Sequence, residues 1–232
     1  MSFWYSCITI VTMNTFSSIS SIISNFPEYS KGLTENSSES DIVDTIINTP
    51  MTDHSGPFLH ALSTMVTKES NTEIVFHKHP CLSWSLAKNK NLSGQWLADQ
   101  YDKDDYDTYC FLKHPNFPMD MLLDISHSGP GRYGENHVAI ISYNPNLSIK
   151  VMESLSSNPS KAVLHGLLKN PSTPHVILMK MVDTTYEWNP EFILDFTMHP
   201  HYDKEVANKI LTKFHGSLDE STTNILLDSF TP

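Results

Sequence analysis

The stretch HVAIISYNPNLSIKVME, His137–Glu153, decides how the fold is read. Apolar residues crowd both of its halves, and Asn144-Pro145-Asn146 parts them with a turn-forming triplet. The reading is a β-hairpin, with strands over His137–Tyr143 and Leu147–Glu153. Working outward, Thr72–Lys78, Asp120–Ile125, His175–Val182 and Phe192–Met198 also read as strands. Helices are expected from Phe58 onward, over Cys81–Lys88 behind Pro80, over Leu92–Tyr101 and Lys161–Lys169, and at the end over Tyr202–Phe214 and Leu218–Leu227. Strands grouped between helices predict an α+β domain, its helices packed on a mostly antiparallel sheet. This reading finds no internal repeat.

Composition sets the outer limits. The chain has 232 residues, with Asp+Glu 26 against Lys+Arg 15, a formal net charge of -11. Such a field repels phosphate backbones and anionic membrane surfaces, so nucleic acid is not an expected partner. No run reaches the roughly 18 apolar residues of a membrane span. Residues 1–57, rich in Ser, Asn, Thr and acids after Phe26, read as an N-terminal arm, partly disordered; residues 58–232 read as the folded domain. The apolar start, Met1–Met13, lacks the basic flank of a secretory signal, the first lysine being Lys31, and this favours a cytoplasmic setting. Three cysteines (Cys7, Cys81, Cys110) make no disulfide framework and suit a reducing compartment.

Cys81 is singled out by its surroundings. In HPCLSWSLA, Pro80 starts a helix, Cys81 lies in its first turn, and His77 and His79 precede it; a helix N-terminus beside a cationic imidazole lowers a thiol's pKa. A nucleophilic thiol needs a histidine from a distant part of the chain. His201, in FILDFTMHPHYD, is the best placed, with Asp203 two residues on and able to orient the ring. Those three would form a Cys-His-Asp triad. The plain reading of Cys81 as a small buried apolar residue stands beside this one.

The residues of Cys81–Ala87 and the closing His201-Tyr202-Asp203 resemble the nucleophile helix and His-aromatic-Asp motif of ovarian-tumour-type cysteine peptidases and of viral papain-like peptidases. NLSGQWL, Asn91–Leu97, is similar to the segment after the cysteine helix in some viral members. Lys78-His79-Pro80 departs from the Asp-Gly-Asn-like stretch those families carry before the cysteine. The resemblance implies a papain-like fold and a thiol protease or isopeptidase (deubiquitinase-like or polyprotein-processing), with a protein substrate such as ubiquitin or a polyprotein. RYGENHVAIISYNPNLSIKVMES resembles instead the histidine hairpin of CHAP-type cell-wall amidases, a likeness that implies His137 as the alternative base and Glu153 as its orienter.

The remaining features carry less. The His77/His79 and His199/His201 pairs lack a carboxylate at the spacing of a metal motif, and no cofactor is expected. Cys110 reads as core. The acidic run Asp99–Asp107 reads as a solvated loop or one attracting a basic partner, and Gly129-Pro130-Gly131 as a flexible loop. The alternative from another class is a non-enzymatic protein-interaction module, for example a viral accessory or host-interaction protein.

Overall fold

A computed structural model describes residues 18–101, 106–127, 134–184 and 190–228. Cys7, the Met1–Met13 segment, residues 102–105 of the acidic run and the Gly129-Pro130-Gly131 loop lie outside them. Among the described residues every regular element is a helix. The α+β fold and its antiparallel sheet are thereby corrected, and with them the papain-like resemblance, which needs a sheet. No helix among the described residues is long and apolar enough to cross a membrane.

The chain divides into two compact units, residues 1–100 with 106–111, and residues 101–105 with 112–232. In the first, α1 (Ile19–Asn25), α2 (Glu39–Asn48), α3 (Gly56–Ser63), α4 (Glu69–Lys78), the short α5 (Ser83–Leu86) and α6 (Gly94–Gln100) follow in order. Within the stretch read as an arm, α2 carries a capping box: the Ser38 side chain accepts from Asp41 N–H while the Asp41 carboxylate accepts from Ser38 N–H. Its Ile42, Val43 and Ile46 are buried, and the helix packs on α3 and α4. The expected strand over Thr72–Lys78 is instead the body of α4, with Thr72, Val75 and Phe76 buried at helical spacing.

The second unit holds α7 (Met119–His127), α8 (Gly134–Ile141), α9 (Ile149–Ser156), α10 (Lys161–Lys169), α11 (His175–Thr184), α12 (Pro190–Thr197), α13 (Lys204–Lys213) and α14 (Glu220–Asp228). Alternate helices stack. One row runs α8, α10, α12, α14 and the other α7, α9, α11, α13, each helix touching the next in its row. The rows are tied by contacts of α7 with α8, α9 with α10 and α13 with α14. This is the architecture of a helical repeat, in which one helix pair cannot bury its own apolar face and stacking supplies the core.

The supposed hairpin is one such step. Val151, Met152 and Leu155 of α9 are buried at i, i+1 and i+4, a helical pattern on which the alternation of Leu147, Ile149 and Val151 is superimposed. Ser148 begins α9 as its N-cap, accepting from Val151 N–H at 3.4 Å. The predicted strands at Asp120–Ile125, His175–Val182 and Phe192–Met198 are likewise α7, α11 and α12.

Candidate functional site

What repeats is a turn. His79-Pro80, His114-Pro115, Asn144-Pro145, Asn170-Pro171 and His199-Pro200 each end one helix or helical segment and lead to the next, and Asn89-Lys90 does the same without proline. The first residue of each turn is buried. In five of them its side chain accepts the backbone N–H two residues on: Asn91 to Asn89, Asn116 to His114, Asn146 to Asn144, Ser172 to Asn170 and His201 to His199, at 2.9 to 3.1 Å. That bond fixes the turn. The fifth residue caps the following helix where it is Ser93, Ser148 or Asp203.

In the second unit the same side chains also reach back one step. The Asn144 amide donates to the carbonyls of Leu112 and His114 at 2.9 and 2.8 Å, and that of Asn170 to those of Ser142 and Asn144 at 3.1 and 2.7 Å. His199 Nε2 lies 3.0 Å from the Asn170 carbonyl. Because His199 Nδ1 accepts from His201 N–H, its ring proton sits on Nε2 and is donated to Asn170. Burial holds the His199 pKa below the usual histidine value, against the bond to Asn170, and His201 adds to the depression. A buried ladder thus runs from the 112–114 turn to His199, stitching successive turns through their backbone carbonyls.

The expected triad takes its place in this pattern. Cys81 is the third residue of the turn that begins at His79, half-buried, in a 3-10 turn over Pro80–Leu82, and the helix expected over Cys81–Lys88 is the four residues of α5. His201 is the third residue of the turn that begins at His199. The two are equivalent positions of one repeated turn, Cys81 in the first unit and His201 in the second. Asp203 is the N-cap of α13, accepting from Glu205 and Val206 N–H at 2.9 and 3.0 Å, and it pairs with His175 Nε2 at 3.1 Å. Those bonds, led by that to Val206, hold its carboxyl below the usual aspartate range, with His175 helping against a small cost of burial. The alternative base, His137, lies buried on α8 with its ring edge-on to Tyr101, and Glu153 is exposed on α9. Cys110 is buried, as read.

A polar cluster that sequence reasoning missed sits on the row of α8, α10 and α12. Asp195, 6% exposed, holds His165 Nδ1 at 2.7 Å and the Lys169 ammonium on its other oxygen. Tyr143 lies beside them: burial raises its phenol pKa, Asp195 raises it further and Lys169 opposes. Its ring is close enough to α10 that a Cβ on Gly166 would stand 3.0 Å from Tyr143 Cε2 and 1.7 Å from Ser142 Oγ. Lys113 Nζ stands 4.7 Å over the same ring. The signal that could have found the arrangement is the recurring His/Asn-Pro dipeptide, because Lys113, Tyr143 and Lys169 each directly precede one.

Comparison with known protein families, with curated proteins and with solved structures finds no match to this chain.

Proposed function

We propose that this chain is a non-enzymatic protein-interaction module, a helical repeat scaffold that presents a surface to a protein partner. The observation that carries this reading is the ladder through Asn144, Asn170 and His199. It spends buried polar groups on joining turn to turn, and stacked repeats of that kind generate an extended surface rather than a closed cleft. The groups suspected of catalysis have turn-forming work of their own: His201 donates its N–H to His199 and Asp203 caps α13. The thiol-protease expectation, by contrast, leaned on a fold with a sheet.

The test uses the full chain on arrays of immobilised peptides of varied charge and hydrophobicity, beside an assay with a ubiquitin-based propargyl probe. Saturable peptide binding, with no labelling by the probe and none of its own peptides cleaved, is the expected result. Covalent labelling or peptide hydrolysis that disappears in Cys81→Ala would overturn the scaffold reading in favour of a thiol hydrolase.

A further inference from the structure

We propose that His175, Asp203 and Glu205 form a binding site for a divalent transition-metal cation of the zinc class, which clips α11 to α13. His175 is the first residue of α11, Asp203 is the N-cap of α13 and Glu205 lies in its first turn. The two helices are touching neighbours in one row of the second unit. Each of the three side chains brings one donor atom, and these atoms all lie within 4.8 Å of one another. Among the described residues no other three histidine, cysteine or carboxylate side chains converge in this way.

The distances fit one shared ion. Zinc takes nitrogen and carboxylate oxygen at about 2.0–2.2 Å, so two ligands of a tetrahedral ion stand about 3.3–3.5 Å apart. His175 Nε2 is 3.1 Å from Asp203 Oδ2 and 3.8 Å from Glu205 Oε2, one on either side of that spacing. A hydrogen bond accounts for the first distance. The second is too long for one, yet it brings a further carboxylate to the same ring nitrogen.

Donor chemistry chooses the ion. An imidazole nitrogen with two carboxylates suits zinc, whereas calcium and magnesium take oxygen ligands alone. Two carboxylates balance a divalent charge and outweigh the positive ends of the two helices. Asp203 is oriented from behind, as metal-bound carboxylates are: its Oδ1 accepts from Glu205 and Val206 N–H at 2.9 and 3.0 Å, and Oδ2 is left to the ion. The side chains of His175, Asp203 and Glu205 are 34%, 52% and 70% exposed, so the ion enters from solvent and water takes the fourth position.

The probe is zinc chloride, titrated calorimetrically into the full chain after treatment with a chelator, with the visible absorption of bound cobalt(II) as a second readout of tetrahedral coordination. The expected result is one saturable equivalent per chain, a melting temperature that climbs with zinc, and affinity lowered about tenfold or more by His175→Gln and by Glu205→Gln. Asp203→Asn keeps a side-chain cap for α13 and is expected to weaken binding likewise. Circular dichroism checks folding, and Glu205→Gln, the most exposed of the three changes, decides if the others unfold. His77→Gln, which removes the ring 3.8 Å from Glu73, and His201→Gln, which removes the ring beside His199, are expected to leave the affinity unchanged. Excess calcium or magnesium is expected not to displace the zinc. No saturable binding, an affinity that survives both His175→Gln and Glu205→Gln, a loss confined to His77→Gln or His201→Gln, or displacement by calcium overturns the site. None of these outcomes bears on the scaffold reading, which stands or falls with the peptide arrays and the ubiquitin-based probe.

Discussion

The two units use the same turn for different ends. In the second, Asn144 and Asn170 each send two hydrogen bonds to carbonyls of the preceding turn, so every step is nailed to the one before it. In the first, Asn89 donates to the Thr72 hydroxyl at 2.9 Å and His79 Nε2 meets the Ile46 carbonyl at 3.2 Å, partners that lie in helices or at their ends rather than in a preceding turn of the same kind. The turn survives in both while the ladder belongs to one. A five-residue signature dictates local shape, and regular repetition of its neighbours is what turns it into a stack.

The sharpest break of that comparison is Asn170→Ala against Asn89→Ala. The first removes two bonds to buried carbonyls and the acceptor for Ser172 N–H, leaving several polar groups dry; at about 1 kcal/mol per bond and more for each group stranded, the loss is about 3 kcal/mol. The second strands less, at about 1–2 kcal/mol, because the Thr72 hydroxyl also donates to the Lys68 carbonyl. Urea unfolding of both variants measures the gap. Equal losses would mean that the ladder adds nothing beyond the turn.

Next comes Gly166. Its missing side chain lets Ser142 and Tyr143 close on α10, and a methyl there would stand 2.8 Å from Ser142 Cβ as well as against its hydroxyl. Overpacking of this kind costs about 1–3 kcal/mol, which the roughly 1 kcal/mol helix preference of alanine does not recover. Gly166→Ala is therefore expected to lower the melting temperature. In the first unit Gly56→Ala meets only Met51 Sδ at 3.7 Å and should leave it nearly unchanged.

His199 offers a smaller effect and a cleaner signature. Its folded pKa is depressed by burial, so the unfolded chain takes up a proton that the folded ring resists; stability is full above about pH 6.5 and declines as pH falls below it. His199→Asn, which copies what stands at 144 and 170, should keep the ladder and lose this decline, while His199→Ala loses about 1–2 kcal/mol at neutral pH. Chemical denaturation at pH 7.5 and 5.5 separates the two.

These residues show where sequence reading succeeded and where it stopped. The helices at Phe58, Lys161–Lys169 and Tyr202–Phe214 were legible because their apolar residues keep one period. His137–Glu153 was not, since branched apolar residues at alternate positions mimic a strand and Asn144-Pro145-Asn146 serves a hairpin as well as a helix-to-helix turn. His201 and Asp203 read from the sequence as a turn presented before the next helix, and they stand in such a turn with Asp203 capping α13; that Cys81 holds the equivalent place emerges only from alignment with His79-Pro80-Cys81-Leu82-Ser83 within the same chain. The Asp195 cluster needed the fold, because its members come from α10, α12 and the turn after α8, whose nearness no local pattern states.

The gentlest test of the two units turns on Glu39 in the first. Partial burial works against its charge, but its carboxylate accepts from the Thr67 hydroxyl, the Lys68 amide, the Asn71 side chain and the Thr67 amide, and together they bring its pKa down to about 2 from 4.5. A depressed carboxyl stabilises fully above its unfolded value and loses that support as pH falls from about 4.5 toward 2. Solvent around this half-buried group screens the effect to about 1 kcal/mol. The first unit also holds His60 and His79, both depressed by burial as His199 is, so both units weaken below pH 6.5; a second, more acidic step follows, to which Glu39 contributes in the first unit and the depressed Asp203 and Asp219 in the second. Glu39→Gln is expected to shrink that step and leave the histidine-dependent one intact. Acid titration of stability in the two chains, followed from pH 7 to 2.5, checks it: a second step of unchanged size in Glu39→Gln would place the acid sensitivity on other carboxylates, Asp41 of the α2 capping box being the next to substitute.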